Sequence, residues 1–139
     1  MPRILLVDDD PDILETLRYA LEHAGFEVET VGDGLAALQA ARERPPALAL
    51  LDVMLPGLNG YEVSRYLKQD MHAGRIAPFA VLMLTARRVA SAARQEFLAT
   101  WSQADATVWK PFDLAALVAD VRHRVESQAP APLPAGGAA

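Results

Sequence analysis

Short apolar runs alternate with segments of helical periodicity five times along the chain. The runs that we interpret as strands lie at residues 4–7, 28–31, 48–51, 80–84 and 106–109. The third run, LALL, is continuously apolar, as is typical of a strand covered on both faces. This alternation predicts an α/β fold of the (βα)5 type, in which a doubly wound parallel five-stranded sheet carries helices on both sides.

The first two segments between strands carry the start and stop signals of helices. Asp10 is placed to cap a helix that Pro11 opens and Gly25 ends. A second helix follows Gly34 and stops before Pro45. The first helix has one apolar face, which comprises Ile13, Leu14, Leu17, Ala20, Leu21 and Ala24.

Three further helices are predicted with unequal clarity. One spans residues 60–71, and a poorly patterned one spans residues 89–100. Asp113 is placed to cap the last helix. The apolar face of that helix comprises Leu114, Leu117, Val118, Val121 and Val125.

The composition changes near the carboxyl end of the chain. The chain has 139 residues, which fits one domain, and 52% of them are hydrophobic. From Pro130 onward the sequence is rich in Ala, Pro and Gly and ends in APLPAGGAA. We therefore predict a domain over residues 1–127 and a flexible tail or linker over residues 128–139.

Charge and residue usage narrow the function classes. The net charge is −5 and no basic stripe is apparent, which argues against direct contact with nucleic acid. The chain has no cysteine, so thiolate metal sites and cysteine nucleophiles are excluded. The apolar runs are too short to span a membrane, and the first strand starts too early for a signal peptide. We expect a cytoplasmic protein.

Polar side chains stand where four of the predicted strands end. Asp8 and Asp9 follow the first strand, Asp52 follows the third, Thr85 follows the fourth and Lys110 follows the fifth. Because the carboxyl ends of parallel strands meet at one edge of a sheet, these side chains should converge there. In a sheet of order 2-1-3-4-5, strands one and three are neighbours, which brings all three carboxylates together.

Three close carboxylates repel one another unless a cation joins them. An oxygen-only set without His or Cys favours a hard ion such as Mg²⁺, with Mn²⁺ as an alternative. Aspartate can also attack phosphorus and form an aspartyl-phosphate. The lysine ammonium and the threonine hydroxyl could then hold the phosphoryl oxygens.

Each of these residues also has an ordinary structural interpretation. Asp10 fits a helix cap, Thr85 a hydroxyl bonded to backbone, and Lys110 a solvated lysine. Met54 fits a loop residue packed on the domain, although its carbonyl could reach a metal ion. The functional interpretation rests on the joint pattern, since four independent strand ends would otherwise match by accident.

The sequence resembles the receiver domain of two-component response regulators. The matching stretches are ILLVDDDPDI, LALLDVMLPGLNGYEV, VLMLTA and VWKPF, which occur in the family order, and the resemblance covers residues 4–125. The resemblance implies the flavodoxin-like strand order 2-1-3-4-5. It also implies a phosphoryl donor, which would be a sensor histidine kinase or a phosphotransfer protein.

The resemblance assigns a role to each residue of the strand ends. It implies that Asp52 is the phosphoacceptor and that Asp9 binds the metal ion directly, with Asp8 acting through water. The backbone carbonyl of Met54 should complete the metal ligands. Lys110 should contact the phosphoryl group and precede a cis peptide bond to Pro111. Thr85 should swing toward the phosphoryl oxygens as the switch.

The sequence departs from the family on the side that usually carries the output. Many receivers have an aromatic residue three positions before the lysine, where this chain has Thr107. Trp109 is next to the lysine in the sequence, and strand alternation makes its side chain point to the face opposite that of the lysine. Arg87 is placed at the pocket rim, two residues after Thr85.

The helices near the output side also differ from the family pattern. Residues 68–79 and 87–104 form segments longer than usual, and Gln103 replaces a common glycine. Ala116 and Asp120 replace the charges through which transcription-factor receivers pair, so the sequence argues against that dimer. An unknown output partner, an effector domain or another homodimer stays open.

Two other functions compete with a signalling receiver. An aspartyl-nucleophile phosphohydrolase usually has a second aspartate two residues after the nucleophile, and here that position is Met54. A pseudo-receiver would bind partners without phosphorylation. The complete set of acidic, hydroxyl and amine groups argues against the second alternative, and Thr107 leaves room for an atypical output.

Overall fold

The computed structural model describes residues 1–86 and 92–128. The strands are β1 (Arg3–Val7), β2 (Glu27–Val31), β3 (Leu48–Asp52), β4 (Ala80–Ala86) and β5 (Ala106–Lys110). The helices are α1 (Pro11–His23), α2 (Gly34–Glu43), α3 (Gly60–His72), α4 (Ala92–Ser102) and α5 (Leu114–Gln128). The predicted alternation of five strands and five helices is confirmed.

All strand pairs are parallel, and the sheet has the order β2-β1-β3-β4-β5. Side chains alternate across the sheet and form two apolar layers. Leu5 and Val7 lie in the layer covered by α2, α3 and α4, whereas Ile4 and Leu6 lie in the layer covered by α1 and α5. Burial on both faces explains why β1 and β3 are continuously buried runs.

The helix starts follow the capping residues of the sequence. Asp10 accepts a hydrogen bond from the backbone N–H of Asp12, and Pro11 is the first residue of α1. Gly25 has a φ of 99°, a left-handed conformation that suits glycine after a helix end. Asp113 accepts from the backbone N–H of Ala116 at the start of α5, as predicted.

Helix α3 begins with a capping box that our sequence interpretation did not include. The Asn59 side chain accepts from the backbone N–H of Glu62 at 2.9 Å, and the Glu62 carboxylate accepts from the backbone N–H of Asn59 at 3.0 Å. Two backbone donors at the helix start are thereby satisfied. This cap fixes the loop that follows β3 against the helix.

The boundaries of α4 differ from the prediction. The described helix runs over Ala92–Ser102, two residues past the predicted end, and residues 87–91 lie outside the described part of the chain. Its pattern is weak because Ser102 is its only buried side chain. The extra residues are held by α3, since the Ser64 hydroxyl donates to the carbonyl oxygen of Ser102 at 2.9 Å.

Strands β3, β4 and β5 extend further than the apolar runs predicted. Their last residues still pair with the neighbouring strand, so that Asp52 is opposite Leu84 and Thr85 is opposite Trp109. Asp52, Thr85 and Lys110 of the predicted site therefore belong to the ends of strands, whereas Asp8 and Asp9 directly follow the last residue of β1.

Two predictions from the sequence concern parts of the chain that the structure describes only partly. The predicted tail lies outside the described residues apart from Gln128, which is the last residue of α5. Within residues 1–86 and 92–128, no helix has both the length and the hydropathy needed to cross a membrane.

Candidate functional site

The carboxyl ends of β1 and β3 bring three aspartates together. Asp8 is fully buried, Asp52 is 4% exposed and Asp9 is exposed. One carboxylate oxygen from each residue lies within 4.8 Å of those of the other two. The sheet order explains this cluster, because β1 and β3 are paired although 43 residues separate Asp9 from Asp52.

Backbone hydrogen bonds fix the two buried carboxylates. The N–H of Asp8 donates to the Val31 carbonyl at 3.2 Å, which holds the chain after β1 against β2. The N–H of Asp10 donates to the Asp8 carboxylate at 3.0 Å. The N–H of Met54 donates to the Asp52 carboxylate at 3.3 Å. The backbone thus orients the carboxylates of Asp8 and Asp52.

Lys110 reaches the acidic cluster from the end of β5. Its Nζ lies 3.1 Å from Asp8 Oδ2 and 3.4 Å from Asp52 Oδ1. The solvated-lysine interpretation is therefore wrong, since the Lys110 side chain is only 19% exposed. The peptide bond from Lys110 to Pro111 is cis, as the resemblance implied.

The proximity of these groups shifts their pKa values. Burial and the neighbouring charge of Asp8 raise the pKa of the Asp52 carboxyl, and they outweigh the opposite effects of Lys110 and the Met54 N–H. Burial alone would lower the pKa of Lys110, but its bonds to Asp8 and Asp52 and their charges raise it above its usual value. The amine is therefore a permanent cation at neutral pH.

Thr85 closes the site at the end of β4. Its side chain is buried, and its hydroxyl donates to the Ala86 carbonyl at 3.4 Å, which is a long and weak bond. Ala86 is exposed and small, so it leaves the edge beside Asp52 open. The Met54 side chain, 51% exposed, is not packed into the core.

Gly60 supports the site in a way the sequence did not reveal. A Cβ atom at this position would collide with the backbone oxygen of Asp52 and lie 2.9 Å from the Cα of Val53. The Gly60 N–H donates to the Val53 carbonyl at 3.0 Å. Only the residue type at position 60 could have signalled this close approach.

The remaining candidates are distributed around the cluster. Asp10 is a helix cap, as its simpler interpretation predicted. Thr107 and Trp109 lie on the α4 side of β5, where both line a cavity. Arg87 lies outside the described residues.

The donor chemistry of the cluster fits a hard divalent cation. Among the described residues, three carboxylates face one ammonium, so this group of side chains carries excess negative charge. The ligands are oxygen atoms alone, one of them on the exposed Asp9, which suits an ion that keeps part of its water shell. The residues present therefore fit Mg²⁺ or Mn²⁺.

Solved structures share this fold over nearly the whole chain. The receiver domain of a signal transduction histidine kinase from Syntrophus aciditrophicus matches with a TM-score of 0.82 and 27% identity over 95% of this chain and 96% of that one. A CheY-like receiver domain protein from Methanospirillum hungatei matches with a TM-score of 0.77 and 28% identity, covering 92% of this chain and 96% of that one.

Curated relatives match in sequence as well. The DNA-binding response regulator MtrA of Mycolicibacterium smegmatis is 44% identical over 88% of this chain and 50% of the relative. The transcriptional regulator RpaA of Synechocystis is 40% identical over 88% of this chain and 48% of the relative. The chain thus spans about half the length of these relatives. Residues 4–122 match the response regulator receiver domain model. The chain therefore belongs to the receiver domain family of two-component response regulators.

Proposed function

We propose that Asp52 is the phosphoacceptor of this receiver domain. The observation that supports it best is the contact of Lys110 Nζ with the buried carboxylates of Asp8 and Asp52 beside the exposed Asp9. This arrangement offers a nucleophilic oxygen, a fixed cation and a metal-binding edge in one place.

In the proposed reaction, a carboxylate oxygen of Asp52 attacks the phosphorus of a phosphohistidine. The P–N bond breaks, and the imidazole nitrogen keeps the bonding electron pair as the O–P bond forms. Lys110 would contact the phosphoryl oxygens, and the Thr85 hydroxyl would turn toward them. The weak bond of Thr85 to Ala86 is easily given up for this movement.

A bound Mg²⁺ or Mn²⁺ would offset the charge that the carboxylates and the phosphoryl oxygens bring together. Asp9, Asp52 and the backbone carbonyl of Met54 would hold the ion, with Asp8 acting through water. The raised pKa of Asp52 is consistent with a carboxylate to which the described protein groups supply too little counter-charge.

The donor would be a sensor histidine kinase or a phosphotransfer protein in the cytoplasm. MtrA and RpaA are DNA-binding regulators about twice as long as this chain, so we propose that an effector domain follows the predicted tail. The receiver itself, with a net charge of −5, would make no direct contact with DNA. Its only catalysis would be its own phosphorylation and slow dephosphorylation.

The proposal is tested by incubating the protein with Mg²⁺ and acetyl phosphate, and separately with beryllofluoride. We expect a stable adduct in the wild type and none in Asp52→Asn. Met54→Ala should form the adduct normally, because the proposed contribution of Met54 is its backbone carbonyl and its side chain is exposed. Absence of both adduct and Mg²⁺ binding would instead indicate a pseudo-receiver. Rapid turnover of varied phosphate esters would indicate a phosphohydrolase.

A further inference from the structure

Two cavities adjoin each other at the amino edge of the sheet, opposite the edge that carries Asp52. One, of about 540 Å³, lies between the end of α3 and the start of β4. The other, of about 350 Å³, lies beside the last turns of α5. Ala80, the first residue of β4, and Asp105, which precedes β5, line both cavities. We call the two cavities together the amino-edge groove.

The larger cavity is lined by residues from two stretches that depart from the family pattern. The unusually long segment 68–79 contributes Lys68, Pro78 and Phe79. Gln103, which replaces a common glycine, lines the same cavity and has a φ of 62°. That left-handed conformation favours glycine, yet this chain carries a long amide side chain there. An unfavourable backbone conformation beside a cavity is a reason to look for a function of that side chain.

The amino-edge groove combines apolar surface with side chains that can donate hydrogen bonds. The apolar surface comes from Met71, Pro78 and Phe79. Donor groups are present on the lining side chains of Lys68, His72, Gln103, His123, Arg124 and Ser127. The Asp105 carboxylate already accepts from Lys68 Nζ and from the Val81 N–H, each at 2.7 Å. The groove therefore suits an uncharged, apolar segment that is rich in hydrogen-bond acceptors.

The sequence after α5 has this chemistry. Residues 129–139 include no charged side chain, and prolines at positions 130, 132 and 134 alternate with Ala131 and Leu133. Proline fixes φ near the polyproline II value and has no N–H, so such a segment presents more carbonyl acceptors than donors. Apolar grooves with aromatic lining are a known mode of binding for proline-rich segments.

The groove also lies within reach of this segment. Ser127 lines the smaller cavity, and Gln128 is the last residue of α5. At about 3.1 Å per residue in polyproline II, Leu133 can lie up to about 16 Å from Gln128. Ser127 and Ala80 border the same cavity, and Phe79 directly precedes Ala80, so the apolar surface of the larger cavity is close enough for Leu133.

We propose that residues 129–134 bind in the amino-edge groove as an extended segment. Leu133 packs on the apolar surface formed by Met71 and Phe79, and the Gln103 amide donates to a backbone carbonyl of the segment. A domain that follows the segment would then be attached at the amino edge of the sheet. The inference does not depend on phosphorylation of Asp52, which concerns the opposite edge.

The full chain has no cysteine, so a nitroxide can be attached at one introduced site, Ala135→Cys. We expect the label to broaden the amide NMR signals of residues 71–80 and 103–106 at least threefold more than those of α1. Leu133→Ser in the labelled chain should abolish this difference. Ala138→Ser, a similar change outside the bound segment, should leave it intact.

Gln103→Gly separates binding from domain stability. The variant relieves the left-handed conformation and removes the amide, so the broadening should weaken without loss of stability in urea unfolding. Unchanged broadening in this variant would refute the role of Gln103.

Uniform broadening over the surface, broadening confined to the end of α5, or the strongest effect between α1 and α5 would overturn the proposal. Broadening in a mixture of ¹⁵N-labelled chain without nitroxide and unenriched chain with nitroxide would identify a second copy as the source of the bound segment, and would overturn it too. None of these results depends on an adduct at Asp52, so failure of the proposed function is distinguished from failure of this inference.

Discussion

At the scale of single residues, the site is defined by an imbalance of charge. Within residues 1–86 and 92–128, three carboxylates meet one ammonium at the carboxyl edge of the sheet. The imbalance affects Asp52 most directly, because burial and the charge of Asp8 raise the pKa of its carboxyl. An ionised carboxylate in that position lowers the folding stability of the metal-free protein. The same carboxylate can bind a cation or attack a phosphorus centre.

This charge imbalance predicts that Asp52→Asn stabilises the metal-free protein. Because the folded pKa of Asp52 is raised, its ionisation opposes folding, and the cost is complete once the pH exceeds that folded pKa. We expect a gain of about 1 kcal/mol in the free energy of urea unfolding at pH 7. The gain should disappear below the ordinary carboxyl pKa of about 4, where both states are protonated.

Magnesium provides the control for that prediction. Mg²⁺ should raise the stability of the wild type more than that of Asp52→Asn, since binding to the folded state alone stabilises it. An Asp52→Asn variant that is no more stable than the wild type without divalent ions would contradict the account of the charge imbalance.

At the scale of elements, close approach and ion pairs hold the helices in place around the site. Gly60 lets the first turn of α3 lie directly against the backbone of Asp52. Farther from the site, the buried carboxylate of Asp70 on α3 binds Arg42 of α2 at 2.7 Å and Arg75 at 3.0 Å. We call these three side chains the Asp70 clasp.

Gly60→Ala is expected to disturb both folding and the site. The added Cβ must displace the backbone of Asp52 or Val53, at a cost of about 1–3 kcal/mol in unfolding free energy. Yield of the beryllofluoride adduct should fall as well. Gly32→Ala is the matched control, because nothing lies within 4 Å of its added Cβ. Equal stability of the two variants would show that the backbone relaxes freely at Gly60.

The Asp70 clasp predicts a stability contribution that depends on pH. Burial alone would raise the pKa of Asp70, but the hydrogen bonds and charges of Arg42 and Arg75 outweigh burial and lower it. A lowered carboxyl pKa stabilises the fold above the unfolded value of about 4, and the stabilisation is lost as the pH falls through the folded pKa.

Asp70→Asn should therefore lose about 1.5–3 kcal/mol of unfolding free energy at pH 7, with the difference shrinking below pH 4. Urea unfolding across this pH range measures it. The exposed pair Arg18–Glu22 supplies the comparison, since Glu22→Gln should change stability by less than about 0.5 kcal/mol. A pH-independent loss in Asp70→Asn would point to packing instead of charge.

Sequence reasoning found the elements more easily than the contacts between them. Strand β3 was predictable because burial on both faces requires a continuous apolar run. The end of α4 was not, because its last residues are held by polar contacts from α3 and not by an apolar face. The Asp70 clasp was equally hidden, since 28 residues separate Arg42 from Asp70 and no periodicity joins them.

At the scale of the whole molecule, topology converts four separate strand ends into one site. Lys110 and Asp8 are 102 residues apart and lie within 3.1 Å. The residue types at the strand ends were visible in the sequence, and the family resemblance supplied the strand order that brings them together. The close approach of Gly60 and the cavity beside Trp109 depend on packing distances that no local pattern encodes.

The central claim is that Asp52, and no other aspartate of the cluster, carries the phosphoryl group. The most direct measurement is borohydride reduction of the protein after treatment with acetyl phosphate and Mg²⁺, followed by peptide mass spectrometry. Reduction converts an aspartyl-phosphate to homoserine and so marks the modified residue. The account predicts homoserine at position 52 alone. Homoserine at position 8 or 9, or none in protein that binds Mg²⁺, would contradict it.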